Sequence, residues 1–180
     1  MERETWGVKP ETRRGYPEPR PWPKTQDRDL IRHRCLETGW FAEDAPDKRG
    51  ATEVFFKWLR IASDELFISK LVEDEIAACP EPKRSQMISV LRGLSLRVLP
   101  VSAECDALAD EYIRAAIIPA RFKNDALHVA VAVWNKVEVV VSWNMAHLVN
   151  VRKVERINAV GEAAGLAQIR IHTPEEVLDL

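Results

Sequence analysis

The chain has 180 residues, which is the size of one domain or of one domain with a tail. Its apolar content of 46% is enough for a buried core, and its formal net charge of -2 excludes a uniformly basic nucleic-acid coat protein. A polyanionic partner would therefore have to meet a local basic patch.

The cysteines and the apolar runs bear on the compartment. The chain has three cysteines, so at least one cannot form a disulfide within the chain. Their positions, Cys35, Cys79 and Cys105, show no Cys-x-x-Cys spacing of the kind that binds zinc. The first residues lack the apolar stretch of a signal peptide, and no later apolar run approaches the roughly 20 residues that cross a bilayer. We therefore expect a cytoplasmic protein in a reducing compartment, with no membrane association.

The N-terminal segment differs in kind from the rest of the chain. Within residues 1–34, prolines alternate with charged residues between Pro10 and Pro23, and each proline fixes φ and removes a hydrogen-bond donor. We expect residues 1–34 to form a loosely ordered Pro/Arg-rich arm and residues 35–180 to form the folded domain. In the alternative, Trp6, Tyr16 and Trp22 dock this arm on the domain or on a partner.

Helix-like and strand-like patterns alternate from about residue 47. Asp47 is expected to cap a first helix, because apolar residues recur behind it at helical spacing. The next elements in chain order are a strand at 66–69, a helix at 70–78, a helix that follows Pro80 and Pro82, and a strand at 96–99.

The second half of the chain continues this rhythm. Ser102 caps a helix that closes before Pro119, and a further helix opens at Asn124 or Asp125 with Ala126, Val129, Ala130 and Val133 facing inward. A strand at 137–142, a helix from about residue 151, a strand at 169–171 and a terminal helix after Thr173 complete the pattern. Strands separated by helices predict an open, doubly wound α/β domain with a parallel sheet.

Hard oxygen ligands follow the predicted strand ends. They are the acids Glu73–Glu75, the pair Asn124 and Asp125, and Asn144 behind the strand at 137–142. Ligands of doubly wound folds bind beyond the carboxyl ends of the strands, so these side chains are expected to converge. Clustered carboxylates repel one another unless a cation neutralises them, and Mg²⁺ or Mn²⁺ prefers such oxygens.

These stretches resemble a known family. Lys123–Ala130 followed by Val139–Asn150 resembles the C-terminal half of PIN-domain proteins, especially the toxin ribonucleases of bacterial toxin-antitoxin pairs. Glu65–Ile76 resembles the second strand and helix of that family, and Thr173–Val177 also fits. The resemblance covers about residues 50–178. It implies a PIN-like three-layer α/β/α fold with a mostly parallel central sheet.

The resemblance also implies a metal site. PIN domains carry an acid after the first strand, a Glu on the helix after the second, an Asp at a later helix start, and an Asp or Asn after the fourth strand. The matching residues are Glu37, Glu75, Asp125 and Asn144, which are therefore the expected catalytic residues and Mg²⁺ or Mn²⁺ ligands. The amide at Asn144 removes one negative charge, so a second metal ion should bind more weakly.

The segment before Glu37 departs from the family pattern. A central parallel strand usually reads as a continuous apolar run, and Arg32, His33 and Arg34 do not fit one. Two explanations are open: the opening strand is distorted, or the N-terminal region has been replaced.

The activity that the resemblance implies is a divalent-metal-dependent endoribonuclease that hydrolyses RNA phosphodiester bonds. It would be a toxin silenced by a cognate antitoxin, and homodimers are common in the family. The alternative is a catalytically degenerate PIN-like module that binds RNA or protein. A nucleotide-binding regulator is disfavoured, because no Gly-rich phosphate loop follows any strand.

Basic and aromatic residues surround the predicted acidic centre. Such a ring suits phosphate positioning without sequence readout, and Trp143 would stack on a base. The alternatives are that the charges only solubilise the surface and that Trp143 is a structural aromatic. The predicted nucleic-acid-binding residues are Lys70, Arg121, Lys123, Trp143, Arg152 and Lys153.

The candidate residues also have plainer interpretations, which for Glu75 is a solvated helix carboxylate. Asp125 is suited to stabilising a helix start, and Asn144 is suited to a turn in which its side chain bonds the backbone. His128 and His147 lack a third ligand at helical spacing, so we interpret them as packed or second-shell histidines and not as zinc ligands.

Overall fold

A computed structural model describes residues 33–36, 46–62, 64–144 and 148–178, and for residues 33–36 and 46–49 it describes the backbone alone. The strands are β1 (His33–Leu36), β2 (Glu65–Ser69), β3 (Leu96–Leu99), β4 (Val139–Val141) and β5 (Arg170–His172). The helices are α1 (Pro46–Leu59), α2 (Lys70–Ala78), α3 (Lys83–Leu91), α4 (Ala103–Arg114), α5 (Lys123–Trp134), α6 (Val151–Ala163) and α7 (Pro174–Leu178). A 3-10 turn at Ala120–Phe122 leads into α5.

The strands form one parallel sheet in the order β3-β2-β1-β4-β5. The chain moves outward from β1 through β2 to β3, and then returns to the other side of β1 for β4 and β5. The direction of winding therefore reverses between β1 and β4, which is the switch point where doubly wound folds bind their ligands. The predicted α/β class is confirmed, and the PIN-like three-layer form remains a prediction.

Strand β1 lies in the centre of the sheet. It pairs with β2 from His33 opposite Glu65 to Leu36 opposite Ile68, and it pairs with β4 on its other edge. An opening strand is therefore present despite its charged sequence. It begins at His33, and the residue after its last pair is Glu37, which lies outside the described residues.

The sheet has a hydrophobic core on each face. Alternate residues of a strand point to opposite faces, so Leu66 and Ile68 of β2 join the core built with α1, α2, α3 and α7. Phe67, between them, joins the core built with α4, α5 and α6. In the same way Val140 of β4 faces away from its two neighbours. Burial on both faces explains why these strands read as continuous apolar runs.

Helix α5 is buried over almost its whole circumference. Ala126, Val129, Ala130 and Val133 are buried as predicted, but so are the intervening residues from Leu127 to Ala132. The helix packs against α4 on one side and towards β2 on the other, so it has no long solvent face. A polar side chain on α5 must therefore find a protein partner, which makes His128 informative.

Several predicted boundaries differ from the structure. Strand β2 begins at Glu65, α5 begins at Lys123, and β5 is shifted by one residue to Arg170–His172. Helix α1 begins at Pro46, so Asp47 lies in its first turn and the predicted cap at Asp47 is wrong. The strand predicted at 137–142 is shorter, because the Val137 amide donates back to the Ala132 carbonyl at the end of α5.

Tyr112 is fully buried in α4, and its hydroxyl has no hydrogen-bond partner within the described part of the chain. Burial raises its pKa, and the neighbouring Cys105 adds to the effect. The Tyr112 hydroxyl therefore stays neutral in the folded protein at a pH at which it ionises in the unfolded chain, which is above about 10. The free energy of unfolding should fall as the pH rises above that value.

Tyr112→Phe should remove this alkaline loss and, by deleting a buried unpaired hydroxyl, should leave stability at neutral pH unchanged or raised by about 1 kcal/mol. Urea denaturation of both proteins at neutral pH and at about pH 11 measures the effect. An equal alkaline loss in the two proteins would mean that Tyr112 is not the titrating group.

Candidate active site at the carboxyl edge of the sheet

The candidate site lies beyond the carboxyl ends of β2 and β4. Strand β2 ends at Ser69 and passes directly into α2, which carries Glu75. Strand β4 ends at Val141 and is followed by Ser142 and Asn144. Both strands flank β1 at the point where the winding reverses, so the fold brings their following residues to one edge of the sheet.

Ser69 holds the junction between β2 and α2. Its hydroxyl oxygen accepts a hydrogen bond from the Val72 amide at 3.4 Å, which caps the first turn of α2. The same oxygen lies 3.2 Å from Nδ1 of His128 on α5. Ser69 is 0% exposed, so its hydroxyl is a structural link between the two helices.

His128 joins this link to Glu75. Its Nε2 lies 3.1 Å from Oε1 of Glu75, while its ring is 4% and the Glu75 side chain 31% exposed. The imidazole therefore spans the gap between a buried hydroxyl and a solvent-accessible carboxylate. His128 is a packed histidine, as the sequence interpretation had it, and it directs the carboxylate of Glu75 towards α5.

A serine, a histidine and a glutamate in one chain of hydrogen bonds invite comparison with a hydrolase triad. In such a triad the hydroxyl must be exposed to attack a substrate, and the acid must orient the ring from behind. Here the order is reversed, because Ser69 is buried and Glu75 is the exposed end. The arrangement positions a carboxylate and does not supply a nucleophilic hydroxyl.

Asp125 and Asn144 meet on the other side of the site. The Asn144 amide nitrogen donates to Oδ2 of Asp125 at 2.8 Å, and the Asn144 backbone amide donates to the Ser142 hydroxyl at 2.9 Å. Asp125 is half-buried in the first turn of α5, where the partial positive charge of the helix start favours a carboxylate. The Asn144 side chain thus orients Asp125, while the Ser142 hydroxyl bonds the backbone in the preceding turn.

The two carboxylates lie beside the same face of α5. Asp125 and His128 are three residues apart on this helix and therefore neighbours on its surface, and Glu75 is bonded to His128. Sequence reasoning did not identify the linking role of Ser69. A serine between an apolar strand and an acidic helix is the local signal, since it fits a helix cap.

Only part of the predicted set of metal ligands lies within the described residues. There, no group of three or more His, Cys, Asp or Glu side chains is arranged to hold a metal ion. Glu37 and His147 lie outside the described ranges, so the predictions for them stay predictions. The donors at this face of α5 are the carboxylates of Glu75 and Asp125 and the amide of Asn144, a hard oxygen set that fits Mg²⁺ or Mn²⁺ better than zinc.

Carboxylates engage two of the predicted RNA-binding lysines. The Nζ atom of Lys70 lies 3.0 Å from Oδ1 of Asp74 and 3.2 Å from Oε2 of Glu73. The Nζ atom of Lys123 lies 2.9 Å from Oδ1 of Asp110. Hydrogen bonds to these carboxylates raise the pKa of both lysines. Their charge is therefore partly neutralised on the protein surface.

The other predicted basic residues are on or near the surface. The Arg121 guanidinium lies 4.8 Å from the centre of the Phe122 ring, and its side chain is exposed just before α5. Arg152 is exposed and Lys153 half-buried in the first turn of α6. These three cations are placed near the helix starts that border the candidate site.

The prediction that Trp143 stacks on a base is not supported by its position. Trp143 is 6% exposed and belongs to the core that α1 covers. Its indole nitrogen donates to the Thr52 hydroxyl on α1 at 2.8 Å. A buried ring offers no free face to RNA, so Trp143 is the structural aromatic that its place at a strand end also allowed.

No protein-family model matches this chain, and no curated protein or solved structure matches it with statistical significance. The resemblance to PIN domains therefore rests on the residues themselves. In the part of the chain that the structure describes, none of the helices is both long and apolar enough to span a bilayer.

Proposed function

We propose that the chain is a divalent-metal-dependent endoribonuclease with a PIN-like three-layer α/β/α fold. The proposal is supported by two contacts at one face of α5: Glu75 bonds His128, and Asp125, three residues before His128 on the same helix, bonds Asn144. This face lies at the carboxyl edge of a parallel sheet, next to the switch point between β1 and β4.

The residues of the site divide into ligands and supports. Glu75 and Asp125 would hold Mg²⁺ or Mn²⁺, and Asn144 and His128 fix the orientation of these carboxylates. When bound, the cation would activate water and polarise the scissile phosphate. Exposed Arg121 and Arg152 would contact RNA phosphates, which position the strand without reading its sequence.

The proposal is tested by cleavage of a mixed RNA pool by the full chain. We expect cleavage with Mg²⁺ or Mn²⁺ and its loss when EDTA removes the metal. Cleavage that persists in EDTA, or a folded protein that cuts no RNA with either metal, would contradict the proposal. Circular dichroism of the same sample establishes that the protein is folded.

The second candidate is a catalytically degenerate PIN-like module that binds RNA or protein. It is favoured by Asn144, which places an amide where the family also uses an acid, and by the pairing of Lys70 and Lys123 with carboxylates. This candidate would be supported if the folded chain binds RNA but neither cleaves it nor binds Mn²⁺. A toxin role, a cognate antitoxin, homodimer formation and a cytoplasmic location stay predictions.

A further inference from the structure

We propose that His128 is a positioning residue for the candidate metal site. In this role it donates a hydrogen bond from Nε2 to Glu75 and holds that carboxylate ready for a cation shared with Asp125. The inference rests on the proposed function and deepens it, because it assigns the support of one ligand to a residue that would touch neither metal nor substrate.

The hydrogen-bond pattern favours a hydrogen on Nε2 of the His128 ring. The Ser69 hydroxyl accepts from the Val72 amide and can donate its own hydrogen to Nδ1 of His128. At the other end of the ring, a carboxylate oxygen of Glu75 faces Nε2 at 3.1 Å and can only accept while it is ionised. In the proposed arrangement we therefore assign the hydrogen to Nε2, as the donor to Glu75.

Burial makes this arrangement rigid. His128 is 4% exposed, lies within a helix that is buried on nearly all sides, and is held at Nδ1 by a serine that is itself fully buried. Glu75 lies more than one turn into α2 and its side chain is 31% exposed, so the bond to a buried ring restricts a long side chain that reaches solvent. Outer partners that fix a metal ligand typically change metal affinity by about 10- to 100-fold when removed.

Two substitutions of similar chemistry separate positioning from packing. Asn carries its amide at about the reach of Nδ1, so His128→Asn can bond Ser69 but cannot reach Glu75. Gln carries its amide at about the reach of Nε2, so His128→Gln can still donate to Glu75. Both variants lose the imidazole ring, so they share the loss of packing.

The measurement is a calorimetric titration of the full-length wild-type, His128→Asn and His128→Gln proteins with Mn²⁺ alone, with urea denaturation of each to compare stability. We expect Mn²⁺ affinity to fall about 10- to 100-fold in His128→Asn and to stay close to wild type in His128→Gln. Equal affinity in all three proteins, or an equal loss in both variants, would overturn the positioning role while leaving the metal site in place.

A different result is expected if the proposed function itself is wrong. If the folded wild-type chain binds no Mn²⁺, the metal site is absent and the positioning role falls with it. Nitrogen-15 NMR of the metal-free protein then tests the hydrogen bonds separately. We expect His128 to carry its hydrogen on Nε2, with a resonance that shifts in Glu75→Gln, and a hydrogen found only on Nδ1 would contradict the geometry.

Discussion

Asp125→Asn is expected to reduce metal-dependent RNA cleavage by at least about 100-fold, because loss of a ligand should cost no less than loss of its outer partners. The substitution preserves the shape of the side chain, and its amide oxygen can still accept from the Asn144 nitrogen that bonds Oδ2 at 2.8 Å. The fold should therefore survive, so that the loss reports on charge and ligation.

Asp74→Asn is the matched control for Asp125→Asn. It removes the same charge from an exposed carboxylate on α2, next to Glu75 in the sequence and paired with Lys70. We expect its cleavage rate to stay close to that of the wild type. Equal rates for Asp125→Asn and the wild type would exclude Asp125 from the site.

Trp143→Ala is expected to destabilise the fold by about 3 to 5 kcal/mol, as large-to-small substitutions of buried aromatics do. The indole fills the core beneath α1, and its nitrogen bonds the Thr52 hydroxyl at 2.8 Å. Urea denaturation followed by far-UV circular dichroism, which reports on the backbone, measures the change in the free energy of unfolding. If Trp143 instead served RNA by stacking, Trp143→Ala would weaken RNA binding and leave the denaturation midpoint unchanged.

Thr52→Val isolates the hydrogen bond from the packing of Trp143. It keeps the size of the Thr52 side chain and leaves the indole nitrogen without this acceptor, so a smaller loss of about 1 to 3 kcal/mol is expected. Comparison of the two variants separates the stabilisation that comes from packing of the indole ring from that of the hydrogen bond made by its nitrogen.

Much of the fold is predictable because local signals mark the boundaries of its elements. Helix α2 and strand β3 have the predicted bounds, since Ser69 caps the one and Pro100 follows the other. Strand β4 is shorter than predicted, because Val137 completes the end of the preceding helix. The burial of α5 on all sides could not be predicted, since it depends on α4 and the sheet packing around it.

The candidate site was predictable in composition more than in contacts. The position of Asp125 at a helix start and of Asn144 after a strand indicated one edge of the sheet, and the structure brings these two side chains into contact. The bond between His128 and Glu75 joins residues 53 positions apart, and no local pattern specifies such a pair. Trp143 suited a strand end equally well as a core residue or a surface residue, so only its burial decided between them.

Calorimetric titration with Mn²⁺ is the decisive experiment for the proposal that Glu75 and Asp125 form one cation site at the carboxyl edge of the sheet. We expect the folded wild-type chain to bind Mn²⁺, and we expect Glu75→Gln and Asp125→Asn each to weaken this binding strongly, whereas Asp74→Asn should not. Wild-type affinity in either site variant, or no Mn²⁺ binding by the folded wild-type chain, would contradict it.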